Sequence, residues 1–392
     1  VIQASSRIEE RSWERQLDTL IHKLLKNNHQ DTIEAALDNS FNAQSGTYDA
    51  LMESIEAVSE SCVQEQDGTS YDALLIAIPI LAWTRFSIAA GPIAADMVTT
   101  LSAHLYAHIL APDTRLAMAP TLFAIDQLPR THTETFAMTQ HMAQAAIKGS
   151  ALGPMVNPPE TAPFLADTRY LLAVVAAPSG QPLFHWQSAL NPNSREEAMT
   201  QWRTQALPNI TRLLPGCGIE LLLPEAYFVA CREADKKIRP ASLRSAVHYL
   251  THTLSVEPNV LQAIIGGFGE ESSEGRIDEY RVGFALHQNP DVVYGVVWPL
   301  YGQENEEAVV AAIMASAGSS AAMPPDAESK TPLEEILTLL RECGITHIKY
   351  HEGCYPMESC EDCGAPLFLD LEAELVHAEM PEDTPHGTTH FH

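Results

Sequence analysis

Two cysteines late in the sequence have the spacing of one half of a zinc knuckle. Cys360 and Cys363 are separated by two residues, so both sulfurs can bind one tetrahedral ion at about 2.3 Å. Gly364 follows the pair and lets the backbone turn tightly beneath a metal. A redox motif of the thioredoxin type fits less well, since it begins a helix, whereas Pro356 lies upstream and Pro366 downstream of these cysteines.

A closed tetrahedral site needs two further ligands, and the neighbouring sequence offers three candidates. Cys354 and His351 lie just upstream, and His377 lies just downstream. The set Cys354, Cys360, Cys363 and His377 gives a Cys₃His site, and His351 can replace either outer ligand. We predict a structural zinc ion here. The alternative is a loop of reduced cysteines without an ion, because a single Cys-x-x-Cys is a less specific signal than two.

Two pairs of histidines offer a second possible metal chemistry. His104 and His108, and likewise His248 and His252, are four residues apart and share one face of a predicted helix. A zincin has glutamate directly after its first histidine, but here that position holds leucine in one pair and tyrosine in the other. Ordinary histidines on amphipathic helices are therefore the favoured interpretation.

The segment Gly266-Gly267-Phe268-Gly269 invites comparison with a phosphate-binding loop. A Rossmann turn needs glycines with the spacing Gly-x-Gly-x-x-Gly at the start of a helix. The residues that follow are instead strongly acidic and would repel phosphate. We therefore predict a flexible turn at this position.

The composition argues against anionic partners. The 392-residue chain has 23 Lys and Arg against 51 Asp and Glu, which gives a formal charge of −28. Such a surface repels nucleic acid and anionic membranes, and it concentrates cations. The densest basic cluster is only Lys236, Lys237 and Arg239.

Cysteine content and hydropathy indicate the compartment. Seven cysteines are an odd number and too few for a disulfide scaffold, so we expect a reducing environment. No apolar run reaches the roughly 18 residues that a membrane helix needs. We expect a cytoplasmic protein.

The elements that must position these residues begin with helices. Leu17, Leu20, Leu24 and Leu25 recur at helical spacing, and the pattern continues through residues 33–58. This apolar stripe predicts a packing face, and a partner-binding face is the alternative.

Strand-like and helix-like segments then alternate twice. The spacing of a proline, a histidine pair and a phenylalanine around His104 recurs around His248, which suggests an internal duplication. In the second copy, Pro240 is expected to precede a helix. Thr331 is expected to cap the last helix, and a strand at 347–350 then delivers the chain to the cysteines.

These patterns predict an α+β fold. It consists of two related α/β sandwich modules of the ferredoxin-like kind, an N-terminal helical layer and a C-terminal Cys/His metal knuckle. The predicted boundaries are 1–66 for the helical region, 67–150 for the first module, 151–350 for the second module with antiparallel strands, and 351–392 for the metal-binding tail.

Several segments together resemble a bacterial protein family known only as a domain of unknown function. They are Asp167–Leu172, Val297–Leu300, Pro356–Leu367 and His377–Glu379, and the cysteine segment is the most specific of them. The resemblance extends from the helix at Trp13 to the histidine-rich tail. It implies a cytoplasmic bacterial protein and brings no activity with it.

Three hypotheses for function follow. The leading one is a non-catalytic zinc protein with a structural, assembly or regulatory role, which forms a homo-oligomer or binds a protein partner through its apolar helical face. The rival is a metal-dependent hydrolase that combines His377, Glu379 and a helical histidine pair around an open water position between the modules. The third is a small-molecule binder that uses the cleft between the modules and needs no metal.

Overall fold

The computed structural model describes most of the chain. The described residues are 15–42, 47–153, 164–187, 194–269, 277–287, 289–300, 331–361 and 363–381. The chain divides into two compact units: Val1–Ala82, Ala89–Thr161 and Thr168–Ala234 form the first, and Trp83–Ile88, Ala162–Asp167 and Asp235–His392 form the second. This division does not follow the boundaries expected at 66, 150 and 350, and the four-part division stays a prediction.

The fold is mixed α and β, as predicted. The two sheets differ in strand order, and the ferredoxin-like description of two related modules is not confirmed. Within the described ranges, no helix combines the length and the apolar character needed to cross a bilayer.

The first unit contains one large sheet and most of the helices. Its helices are α1 (residues 15–26), α2 (Gln30–Asn42), α3 (Thr47–Glu60), α4 (Ala95–His108), α5 (His132–Lys148), α6 (Arg195–Leu213) and the start of α7 (Tyr227–Thr253). Its strands are β1 (Ser61–Gln66), β2 (Thr69–Trp83), β3 (Gly91–Pro92), β4 (Arg115–Ala124), β5 (Ala166–Pro178), β6 (Gly218–Leu221) and β7 (Glu225–Ala226). The strand order is β1-β2-β5-β4-β3, and β6 and β7 also pair with β2.

The N-terminal stripe is a packing face within the chain. Side chains from α1, α2 and α3 bury one another and contact Phe136 of α5, which confirms the predicted packing role. The buried members are Ile21, Leu25, Ile33, Leu37 and Ile55. The start of this helical segment, including Trp13, lies outside the described residues.

The second unit contains a four-stranded sheet and the predicted metal region. Its strands are β8 (Leu261–Gly269), β9 (Glu279–Leu286), β10 (Asn289–Pro299) and β11 (His347–Pro356), followed by the short pair β12 (Phe368–Leu369) and β13 (Leu375–Val376). The order is β10-β9-β8-β11, antiparallel except for the parallel pair β8 and β11. Helix α8 (Pro332–Glu342) begins at a capping box on Thr331, as predicted.

Alternating side chains give this sheet two covered faces. One face, with Ala263, Val282 and Trp298, packs against the second half of α7 and against α8. The opposite face, with Ile264 and Ala285, packs against the C-terminal segment, whose Phe368 and Leu369 are buried. The period-two alternation of strand side chains produces this sorting.

Three glycines on the opposite face make room for the C-terminal segment. Gly283 pairs with Gly295 across β9 and β10, and Gly266 lies on the neighbouring strand β8. A Cβ atom on Gly295 would overlap the Phe368 ring, and one on Gly266 would overlap the Leu369 side chain. We call Gly266, Gly283 and Gly295 the glycine furrow, since β12 lies along it.

Two local predictions are wrong. Gly266 to Gly269 belong to β8 and do not form a flexible turn, because the sheet and β12 enclose their backbone. Pro240 lies inside α7 and not before it. A proline cannot hydrogen-bond the carbonyl four residues earlier, and here the Arg239 side chain donates to that Lys236 carbonyl at 3.3 Å.

Candidate metal centre

The Cys-x-x-Cys segment forms a tight turn on a short paired base. At the base, Ser359 bridges Pro366, and the Leu367 amide donates to the Glu358 carbonyl at 3.1 Å. Toward the tip, the Cys360 amide donates to the Ala365 carbonyl and the Gly364 amide to the Cys360 carbonyl, both at 2.8 Å. Gly364 has φ +73°, a left-handed conformation that favours glycine. We call residues 358–367 the knuckle.

His377 completes a group of three ligand atoms with the two cysteines. One ligand atom each from Cys360, Cys363 and His377 lies within 4.8 Å of the others. Within the group, Cys363 Sγ and His377 Nε2 are 3.2 Å apart. His377 follows β13 directly, so pairing of β13 with β12 carries its ring back to the knuckle.

The second ring nitrogen of His377 faces a carboxylate. Its Nδ1 is shielded from solvent and lies 3.3 Å from Glu379 Oε1, without the geometry of a hydrogen bond. The Glu379 backbone amide donates to the Val292 carbonyl of β10 at 2.9 Å, which fixes this residue to the sheet. A carboxylate beside one nitrogen of a histidine favours metal binding through the other nitrogen.

The other two predicted ligands lie apart from this group. Cys354 is exposed at a bulge in β11. Partial desolvation of its thiol, followed by the Asp278 carboxylate, raises the pKa of this group. His351 Nε2 is 2.9 Å from the Asp370 carbonyl, which only accepts, so this nitrogen donates to the turn between β12 and β13. Asp362 and the histidines at 386, 390 and 392 lie outside the described residues.

A buried arginine that the sequence reasoning missed supports the knuckle. Arg281 of β9 is 4% exposed, and its Nη1 donates to the Glu358 carbonyl at 2.7 Å and to the Leu367 carbonyl at 2.6 Å. Its Nε donates to Glu279 at 2.6 Å. The available signal was a pair of opposite charges two residues apart, Glu279 and Arg281, in a strand that is otherwise apolar. Arg281 faces the same side of the sheet as Gly283.

Comparison with known proteins identifies the family. The sequence model for a protein of unknown function, DUF2863, matches residues 1–391. The chain belongs to the DUF2863 family. No curated protein sequence and no solved structure matches the chain.

Membership of DUF2863 confirms the resemblance noted from the sequence. Because the family is defined without an activity, it assigns no role to any residue of the metal centre. The bacterial origin and the cytoplasmic location stay predictions.

The two histidine pairs use ring nitrogens for other contacts. His104 Nε2 lies 3.2 Å from the Asn209 amide nitrogen, and His252 Nε2 lies 3.2 Å from Arg85 Nη1. Each of these two nitrogens therefore accepts a hydrogen bond from its neighbour. In the part of the chain that the structure describes, only the knuckle group brings three Cys, His, Asp or Glu ligand atoms together.

Proposed function

We propose that this protein binds one zinc ion through Cys360, Cys363 and His377, and that the ion has a structural role. The observation that carries the proposal is the proximity of these three ligand atoms, within 4.8 Å, at a turn that Arg281 of β9 anchors to the sheet. The bound ion fastens the C-terminal segment to the face of the sheet that carries the glycine furrow. The protein acts as an assembly or regulatory factor and has no chemistry at the metal.

The donor set favours zinc over harder cations. Thiolate and imidazole ligands suit zinc, whereas magnesium and calcium prefer oxygen ligands. The acidic surface, with a formal charge of −28, also favours cation binding.

A structural role is supported by what the segment covers. Phe368 and Leu369 are buried against the sheet, while the knuckle itself is largely exposed. An ion that binds only the folded arrangement stabilises it by its binding free energy. The fourth ligand of a closed site is Cys354 or His351 in the hypothesis drawn from the sequence.

Metal analysis of the reduced protein without a tag tests the proposal. We expect one zinc per chain in the native protein and none in the Cys360→Ser, Cys363→Ser double variant, together with a lower Tm. Cys217→Ser is the matched control, since this half-buried cysteine lies in the other unit. Zinc retained by the double variant, or a native protein without metal, would contradict the proposal.

X-ray absorption spectroscopy of the zinc protein identifies the fourth ligand. Three sulfur ligands would support Cys354, and Cys354→Ser would then reduce the count to two. Two sulfurs and two nitrogens would support His351 or another histidine. The rival hydrolase predicts a labile water in the coordination sphere and metal that survives loss of both knuckle cysteines.

Binding of a second copy or of a protein partner belongs to the same proposal. The apolar stripe of α1 to α3 packs within the chain, while Leu20 of α1 is 53% exposed. Sedimentation of the native protein and of Leu20→Glu tests a role of this face in self-association.

A further inference from the structure

Arg281 links the two chain segments that flank the Cys360–Cys363 turn. The Glu358 and Leu367 carbonyls, which accept from its Nη1, lie on opposite sides of the Cys360–Cys363 turn. The Leu367 amide also donates to the Glu358 carbonyl, so one nitrogen of the guanidinium closes the base of the turn. The relative position of the two cysteines depends on this base.

The surroundings of Arg281 hold its guanidinium in one orientation. Glu279 accepts from Nε at 2.6 Å, and the guanidinium carbon lies 4.4 Å from the centre of the Phe268 ring. Glu279 is itself mostly buried, with 13% of its side chain exposed. A buried guanidinium whose Nε and Nη1 donate to a carboxylate and two carbonyls, and whose plane lies near an aromatic ring, is held in place.

The contacts of Arg281 depend on the shape of the arginine side chain as well as on its positive charge. Nε and Nη1 of one planar group donate in different directions, toward Glu279 and toward the knuckle. Lysine carries its three donors on a single nitrogen and has no donor at the position of Nε. Lysine at this position would therefore retain only part of the contacts.

We propose that Arg281 is the positioning residue of the metal centre and sets its affinity for zinc without touching the ion. This inference rests on the proposed function. With Arg281 in place, the knuckle is held ready for the metal. Without it, the base of the turn must be ordered when the ion binds, which opposes binding.

Zinc affinity of Arg281 variants, measured by competition with a chromophoric chelator, tests the inference. We expect Arg281→Met to bind zinc roughly 10- to 100-fold more weakly than the native protein, as for other residues that orient metal ligands. Arg281→Lys should fall between the two. The absorption bands of the cobalt-substituted protein should broaden in Arg281→Met, because its ligand geometry varies.

Arg239→Met is the matched control. Arg239 is also buried, at 6% exposure, and it donates to the Pro299 carbonyl at 2.7 Å and lies over the Trp298 ring at 5.2 Å. Trp298 lies on the face of the sheet that packs against α7 and α8, away from the knuckle. We expect this variant to lose thermal stability and to keep its zinc affinity.

The outcomes separate the inference from the proposed function. A native protein that binds zinc, with Arg281→Met binding equally tightly, overturns the role of Arg281 alone. Equal weakening in Arg281→Met and Arg239→Met also overturns it, because general destabilisation would then be the cause. A native protein without zinc overturns both. If Arg281→Met does not fold, a several-fold loss in folded Arg281→Lys supports the inference, and native affinity in that variant refutes it.

Discussion

His377 is the residue that turns a pair of cysteines into a group of three candidate metal ligands. Its Nε2 lies 3.2 Å from Cys363 Sγ, and its Nδ1 faces Glu379. The Cys-x-x-Cys spacing is local and could be recognised directly. The choice of histidine depends on the β12–β13 hairpin, which returns the chain to the knuckle over 14 residues.

Loss of the Glu379 carboxylate should weaken zinc binding. In Glu379→Gln the partner of His377 Nδ1 loses its charge, so we expect zinc affinity to fall about tenfold. Glu374→Gln makes the same change in charge at an exposed position in the same segment and should bind normally. Chelator competition checks both variants, and equal affinities would remove Glu379 from the description of the site.

Glu60, far along the chain from the metal centre, should make stability depend on pH. The pKa of its carboxyl is raised from 4.5 to about 7, chiefly by burial and also by the nearby Glu56 carboxylate. The Phe228 amide, which donates to Glu60 at 2.9 Å, and the Arg232 side chain lower the pKa and offset part of this rise. A carboxyl with a higher pKa in the folded chain favours folding while protonated. Its contribution is therefore complete below pH 4.5 and is lost as the pH rises through about 7.

Denaturant titrations of Glu60→Gln across pH test this dependence. Glutamine keeps an acceptor for the Phe228 amide and carries no charge. We expect the variant to be more stable than the native protein at pH 8, by up to about 3 kcal/mol, and similar to it at pH 4. Glu65→Gln changes an exposed carboxylate on β1 and should leave the pH dependence unchanged. Parallel curves for native protein and Glu60→Gln would contradict the assignment.

At the scale of elements, the glycine furrow decides where the C-terminal segment lies. Three strands each contribute one glycine on the same face, and β12 occupies the space that side chains would otherwise fill. Each glycine is unremarkable in its own strand. Their alignment depends on register, which the sequence patterns did not specify.

A double-mutant cycle tests this packing. Gly295→Ala places a methyl group against the Phe368 ring and should lower the free energy of unfolding by about 1 to 3 kcal/mol. In Gly295→Ala, Phe368→Ala the new methyl group enters the space vacated by the ring. The double variant should therefore lose less free energy of unfolding than the two single variants lose together, by about 1 kcal/mol or more.

Gly153→Ala is the control for this cycle. Among the described residues, none apart from its chain neighbours places an atom within 4 Å of a Cβ at that position, so the change should stay within about 0.5 kcal/mol. Strictly additive effects at Gly295 and Phe368, measured by urea titration, would show that the two residues do not compete for one space.

At the scale of the whole molecule, metal should stabilise one part of the second unit more than the rest of the chain. If zinc binds as proposed, we expect its removal to break the ligand contacts of the knuckle and to leave the helix-facing core of the β8–β11 sheet in place. Hydrogen exchange should therefore accelerate by about tenfold or more in Phe368–Val376 after chelation. Amides of β4 and β5 in the first unit should be unaffected. Uniform acceleration, or none, would contradict a local structural role.

The sequence by itself determined the N-terminal helices, the starts of α6 and α8, and the cysteine half of the site. Helical periodicity predicted α1 to α3, and Ser or Thr three residues before Glu marks the start of α6 and α8, where capping boxes form. The Cys-x-x-Cys-Gly pattern likewise predicted the knuckle. Each of these signals is contained within a few consecutive residues.

Only the tertiary structure decided how the knuckle is held. Arg281 donates to Glu358 and Leu367, which are 77 and 86 residues away along the chain. Contacts over such separations leave no periodic or spacing signal, because they depend on strand order and register. The same reason explains why Gly266 to Gly269 was mistaken for a turn. A glycine-rich strand and a glycine-rich loop have the same local sequence, and they differ only in what packs against them.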